Sequence, residues 1–239
     1  MSTIAQAAAA IRALRPRNVV VFTGAGVSAD SGIPTFRGEG GLWRNFRAED
    51  LATPEAFARD PALVWEWYEW RRGLVRAAQP NAAHRAIAAL SGAVVVTQNV
   101  DGLHARAGSA DVVELHGNLF RVRCVREQRV RPAPDAFDAI PPRCECGALL
   151  RPDVVWFGEM LPEDAVARAS AVISAADLLL IIGTSGIVYP AAGFVALCGG
   201  MTIEINPQAS ALSSRCTYAV AETAAAATPP LVEAILERH

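Results

Sequence analysis

Lysine is missing from this chain of 239 residues: all 22 basic side chains are arginine, while alanine fills roughly one position in five. Genome composition is the simplest source of such a bias. An excess of positive charge is missing as well. With 24 acidic residues the formal net charge is −2, and a nucleic-acid binder needs a basic excess to neutralise phosphates, so that class is set aside. Long apolar runs are missing; a stretch such as Leu178–Ile182 is far too short to span a bilayer. Met1 to Ala10 has neither a basic leader nor an apolar segment of signal length, so a soluble, cytoplasmic protein is expected. Cysteine is scarce and odd in number: the five residues argue against a disulfide framework. A hydrophobic content of 52% excludes disorder. The length fits one domain with a small insert and a sizeable core.

Residues 4–14 form an Ala-rich helical lead-in. The β-branched run at 19–22 meets Thr23-Gly24-Ala25-Gly26, the pattern of a buried parallel strand feeding a glycine turn that opens a helix. Residues 31–41 are rich in Gly and Pro and read as a loop. Thr53-Pro54-Glu55 supplies an N-cap hydroxyl and a proline at the first helical position. Further helices are expected at 61–78 and 82–90. Strands are expected at 94–97 and 112–115, then a helix at 164–175, strands at 178–183, 201–205 and 217–220, and a last helix at 231–238. Alternating strands and helices imply an α/β fold with a doubly wound, Rossmann-like parallel sheet. Two segments break the rhythm. One is the Trp-rich helical insertion at about 51–78; the other is the Arg-, Pro- and Cys-rich segment at about 120–154. They are expected to build a small lobe on a large lobe of about 1–50, 79–119 and 155–239, with the ligand at the carboxyl ends of the strands.

A bare G-x-G is weak evidence for a nucleotide. This one lacks the third glycine of the dehydrogenase fingerprint, and no acidic residue ends the next strand-like run, which lowers a hydride-transfer reading. The continuation is more specific. Gly24-Ala25-Gly26-Val27-Ser28-Ala29-Asp30-Ser31-Gly32-Ile33-Pro34-Thr35-Phe36-Arg37-Gly38 resembles the signature of the sirtuins, the NAD-dependent protein deacylases. In the same order follow Thr97-Gln98-Asn99-Val100-Asp101-Gly102-Leu103-His104, Leu115-His116-Gly117, Val155-Trp156-Phe157-Gly158-Glu159, Gly183-Thr184-Ser185 and Ile205-Asn206, each similar to a motif of that family.

The resemblance implies that an acyl-lysine oxygen attacks the ribose of NAD, nicotinamide leaves, and a ribose hydroxyl then loses a proton, yielding 2′-O-acyl-ADP-ribose. A base with a pKa near neutrality suits that step, and histidine is the side chain closest to it. The resemblance makes His116 that base, with Asn99 as its catalytic companion. It also implies cofactor contacts from Gly24, Ala25, Gly26, Ser28, Asp30, Pro34, Thr35, Phe36, Arg37, Trp43, Gln98, Asn99, Asp101, Gly183, Thr184, Ser185, Asn206 and Ala224. Arg37 would meet a phosphate, and Phe36 would shield the ribose. Val155, Trp156, Phe157 and Gly158 would offer an edge to the substrate backbone, acyl-lysine proteins being the expected partners. His104 is read as structural, and His84 as a surface or capping residue.

At roughly 100° per residue, Trp70, Leu63, Leu74, Trp67, Arg71, Val64, Val75 and Tyr68 fall on one arc of the 61–78 helix, with Arg71 near its middle. A guanidinium there needs an anion, either an internal carboxylate or a ligand. The pair Tyr68 and Arg71 is similar to the one marking the sirtuin class that removes malonyl, succinyl and glutaryl groups. Arg72 points elsewhere on the wheel. Desuccinylase and demalonylase activity, with deacetylation possible, is therefore expected. A plain deacetylase and a protein ADP-ribosyltransferase are the alternatives. The intact His116 and Asn99 argue against a non-catalytic NAD sensor.

Family members typically place two Cys-x-x-Cys-like pairs around a structural Zn²⁺. Here Cys124 is followed three residues on by Glu127, and Cys144 and Cys146 are separated by one residue. Zinc held by Cys124, Cys144 and Cys146, with Glu127 or water as fourth ligand, is the expectation; a module held by packing alone is the alternative.

Overall fold

The computed structural model describes residues 2–34, 46–186 and 191–237. Its central sheet is built from β1 (Val19–Thr23), β2 (Val94–Thr97), β3 (Val112–Glu114), β7 (Leu178–Ile182), β8 (Met201–Ile205) and β9 (Tyr218–Val220), in the order β3-β2-β1-β7-β8-β9. Every pairing in it is parallel. The chain winds outward from β1 to β3, then returns beside β1 and winds the other way, which opens a crevice over the carboxyl ends of β1 and its neighbours.

Side-chain alternation explains the layers. Val19 and Val21, with Leu178, Leu180 and Ile182, face α1 (Ile4–Leu14), α5 (Ala82–Ala88) and α9 (Ala224–Leu236). Val20 and Phe22, with Leu179 and Ile181, face α7 (Glu163–Ser174) and α8 (Ala191–Ala196). The strands are buried on both sides, so they read as unbroken aliphatic runs, and each such side chain contributes about 1.5–3 kcal/mol.

A separate core joins the two interrupting segments. The first comprises α2 (Ala48–Leu51), α3 (Pro54–Arg59) and α4 (Pro61–Ala77). The second carries an antiparallel sheet of β4 (Gly117–Cys124), β5 (Val130–Pro132) and β6 (Leu150–Val154), in the order β5-β4-β6. Thr53 and Asp60 cap α3 and α4, accepting from Ala56 N and Leu63 N, both at 3.0 Å. Trp65 Nε1 donates to Leu150 O at 2.8 Å across the two segments. Arg106, on α6 (Leu103–Ala107), closes the end of α4 by donating to Val75 O at 3.0 Å and Ala78 O at 2.8 Å.

Three local expectations change. The glycine turn opens a 3-10 helix, Ala25–Ser31, which ends at Gly32 with φ 80°. The last helix starts at Ala224 rather than 231, capped by Thr223, and runs through Pro229 and Pro230. Ala227, Leu231 and Ala234 are buried in the core it shares with α1 and α5, and that packing outweighs the amide bonds the prolines forfeit. Residues 155–158 do not continue a strand: β6 ends at Val154, Val155 N donates to His116 O and Phe157 N to Ala52 O, both at 2.9 Å, and the chain turns through Gly158 at φ 86°.

Candidate active site

Glycine is required where the loops after β1 and β7 touch. A Cβ on Gly26 would stand 2.7 Å from Gly183 Cα, and one on Gly24 2.8 Å from Gly183 O. Gly183, at φ 64°, would place its own Cβ 2.3 Å from Val27 N. Ala25 continues the turn, and backbone meets backbone there, leaving a smooth floor of the kind that lets a pyrophosphate approach.

Polar side chains surround that floor. Gln98 Nε2 donates to Thr184 Oγ1 at 3.0 Å, and Asn206 Nδ2 donates to Thr184 O at 3.0 Å, tying the ends of β2, β7 and β8 together; Ser185 follows in the same turn. Asp30 accepts from Ala225 N at 3.2 Å, which brings the 3-10 helix to Ala224 at the start of α9. Nearer the strand ends, Ser28 donates to Asp101 Oδ2 at 2.7 Å. Asn99 Nδ2 donates to Gly24 O at 3.1 Å and lies 3.3 Å from Ser28 Oγ. Burial is the main influence on Asp101 and pushes its carboxyl up, against the opposing bonds from Leu103 N and Ser28 and the charges of Arg71 and Arg106.

His116 stands at the end of β3. Its Nδ1 lies 2.7 Å from Gln98 O, so Nδ1 carries the proton and donates it to that carbonyl, and the lone pair is on Nε2. Burial pushes its pKa below the ordinary value; the bond to Gln98 works in the other direction. Two further histidines lie underneath. His84 is buried, not at the surface, and it caps α5 as expected. His104 Nε2 lies 3.0 Å from Thr23 Oγ1, and the two imidazole rings are 4.8 Å apart. Burial lowers their pKa values to about 4 and about 3, so both are neutral structural groups at physiological pH.

A cavity adjoins the crevice, lined by Ala25, Ser28, Ile33, Pro34, Ala48, Trp67, Trp70, Arg71, Leu74, Val75, Asn99, Val100, Asp101 and Leu119. It brings Arg71 of α4 together with Asn99 and Asp101. The Arg71 guanidinium lies 4.9 Å from the Trp67 ring centre and 5.8 Å from that of Tyr68. Tyr68 is fully buried and is not among the lining residues; its hydroxyl accepts from Trp156 Nε1 at 2.8 Å. Phe157 is exposed. Trp67 and Trp70 were not read as site residues, though sharing the arc of Arg71 was a signal that could have found them; Ile33, Ala48 and Leu119 carried no such signal. Arg72 points away from the cavity, as the helical wheel indicated. It is the more buried neighbour, at 1% exposure, paired with Glu69 and Pro134 O and packed 5.0 Å from the Phe137 ring centre. Thr35, Phe36, Arg37 and Trp43 lie outside the described residues.

In the small module, the ligating atoms of Cys124, Glu127, Cys144 and Cys146 all lie within 4.8 Å of one another. Cys124 and Cys146 sulfurs are 3.5 Å apart, and Cys144 Sγ is 3.8 Å from Glu127 Oε2. Sulfurs 2.3 Å from a tetrahedral zinc are separated by about 3.8 Å, so this Cys₃Glu set fits a structural zinc. It lies in the β4–β6 module, and no step of the chemistry is assigned to it. All five cysteines are free thiols.

A doubly wound sheet, a glycine floor at its switch point and a buried histidine at a neighbouring strand end point to the class: a dinucleotide-dependent α/β enzyme. The comparisons make it particular. The Sir2 family model matches residues 24–190. The NAD-dependent protein deacylase 2 of Pyrobaculum aerophilum is 52% identical over 230 residues, covering 93% of this chain and 92% of that one. A Sir2 homologue solved as an NAD complex superposes with a TM-score of 0.89 at 45% identity, over 96% of this chain and 93% of the other. A mutant Sir2 homologue in complex with 2′-O-acetyl ADP ribose reaches a TM-score of 0.90 at 45% identity, over 96% of both chains. This chain belongs to the Sir2 family.

Proposed function

We propose that this NAD-dependent protein deacylase removes acidic acyl groups, succinyl and malonyl first, from lysine side chains of protein substrates, with acetyl as a lesser substrate. The observation that carries this reading is the Arg71 guanidinium, set among indole and phenol rings in a cavity shared with Asn99 and Asp101. Burial lowers the Arg71 pKa, so an anion entering the cavity restores what the charge lost with its water. Asp101 supplies part of that compensation from inside the protein. Tyr68 supports the site from behind: its ring lies 5.8 Å from the Arg71 guanidinium, and its hydroxyl is fixed by accepting from Trp156 Nε1.

The remaining residues divide the work. Asn99, Ser28 and Asp101 present a carboxamide, a hydroxyl and a carboxylate where a ribose and a nicotinamide amide would lie. The nicotinamide dinucleotide supplies the electrophilic ribose carbon. His116 Nε2 takes the proton from a ribose hydroxyl, and the Gln98 carbonyl holds the ring in the tautomer that permits this.

The test is kinetic. Arg71→Met should lower kcat/KM on a succinyl-lysine peptide by roughly 100-fold, the loss of a bidentate charge-assisted contact, with little change on an acetyl peptide. An equal loss on both peptides removes the acidic-acyl assignment and leaves the deacylase.

A further inference from the structure

Glu204 is a buried carboxylate to which the chemistry above gives no part. It sits on β8 two residues before Asn206, at 2% exposure. Its Oε1 accepts from Ser210 Oγ and its Oε2 from Ser213 Oγ, both in the loop that follows β8. That loop is knitted further by Ser210 N donating to Ser213 Oγ at 2.8 Å and Leu212 N donating to Ser210 Oγ at 2.9 Å. Both oxygens of this buried side chain need hydrogen-bond partners, and the two serines supply them, so Glu204 and the serines specify one loop conformation. The charge is felt locally: the Cys216 thiol is pushed up to about 11, by burial first and by Glu204 second.

The loop so held presents Leu212, which is fully buried, to the turn after β7. Leu212 Cγ occupies the space beside Gly186, where a Cβ would come within 2.6 Å of it. Gly186 N donates to Thr184 Oγ1 at 3.4 Å, and the same oxygen accepts from Gln98 Nε2 at 3.0 Å. A continuous path of contacts thus runs from Glu204 through Ser210 and Leu212 to Gly186 and Thr184.

We infer that Glu204 is a positioning residue for the dinucleotide, acting on the Gly183–Gly186 turn through Leu212. The inference rests on the reading of Gly183, Thr184 and Ser185 as cofactor contacts. Steady-state kinetics with NAD varied at saturating acyl peptide tests it. Glu204→Ala should raise the KM for NAD roughly tenfold while kcat changes less than about twofold, the size expected for loss of a hydrogen-bonded charge that holds only the binding geometry. Glu204→Gln, whose amide oxygen still accepts a hydroxyl, should recover most of the loss. Should Glu204→Ala fail to fold, Leu212→Ala carries the same expectation. An unchanged KM for NAD in these variants, with Thr184→Ala raising it, overturns the inference alone. An unchanged KM in Thr184→Ala removes the site reading beneath it. Parallel loss of kcat and of peptide KM in Glu204→Ala marks general loosening and also overturns the positioning role.

Discussion

His116 shows how one residue is prepared by its surroundings. On the proposed role of His116 as base, only the neutral imidazole acts, so the rate should fall as pH drops through the histidine pKa. Burial lowers that pKa from its ordinary 6.5, and the Gln98 carbonyl, which favours the protonated ring, only partly opposes it. The acid limb of kcat/KM is therefore expected below pH 6.5, with activity persisting to more acidic pH than an unperturbed histidine would allow. His116→Ala should remove that limb and cost about 10²–10⁴ in rate, the usual contribution of a positioned base. A limb at or above the ordinary value would mean that the imidazole is better solvated during turnover than its burial indicates. Asp101 illustrates the opposite sign: burial raises its carboxyl pKa, and the bonds and positive charges around it work to keep it ionised.

At the scale of elements, legibility in the sequence followed how local the determinants are. The strands β2 and β8 were readable to the residue, β2 from four consecutive β-branched positions and β8 from Met201, Thr202, Ile203 and Ile205 set around the single charged Glu204. The start of α3 was readable from Thr53 and Pro54, a cap that needs no distant partner. Helix α4 was only half readable. Its periodicity put Arg71 on the arc of Trp67, Trp70 and Leu74, which line a cavity with it, but Arg72 is covered by Pro134 and Phe137 of the module some sixty residues later, and no helical wheel carries that information. The module itself lay at the limit: three cysteines signalled it, yet its antiparallel strands emerge from pairing between Gly117–Cys124 and Leu150–Val154. Its ligand geometry leads to a direct expectation. Protein purified without added zinc should carry about one zinc per chain, and Cys144→Ser should lower both occupancy and Tm, because metal binding to deprotonated thiolates is coupled to folding of the segment. A ratio near zero by metal analysis would show that packing alone holds β4 to β6.

The whole molecule depends on the seam where the two windings of the sheet meet. A protein lysine deacylase whose own 239 residues contain no lysine cannot be switched by acylation of lysine side chains within them. Loops after β1 and β7 are in backbone contact there, through Gly24, Gly26 and Gly183. Gly183→Ala forces a Cβ within 2.3 Å of Val27 N at a φ of 64°, so either β1 or β7 must shift at its carboxyl end. The strain should cost about 1–3 kcal/mol of stability. The same shift opens the floor proposed to hold the dinucleotide, so affinity should fall with it. Thermal unfolding under an NAD titration separates the two effects. For the unmodified chain, NAD at about 100 times its Kd should add about 2.7 kcal/mol, because only the folded seam binds it. For Gly183→Ala the starting Tm should be lower, and the rise with NAD should be lost over the same concentration range. A variant that starts lower yet gains the full NAD-dependent rise would show that the seam stabilises the fold without forming the dinucleotide floor.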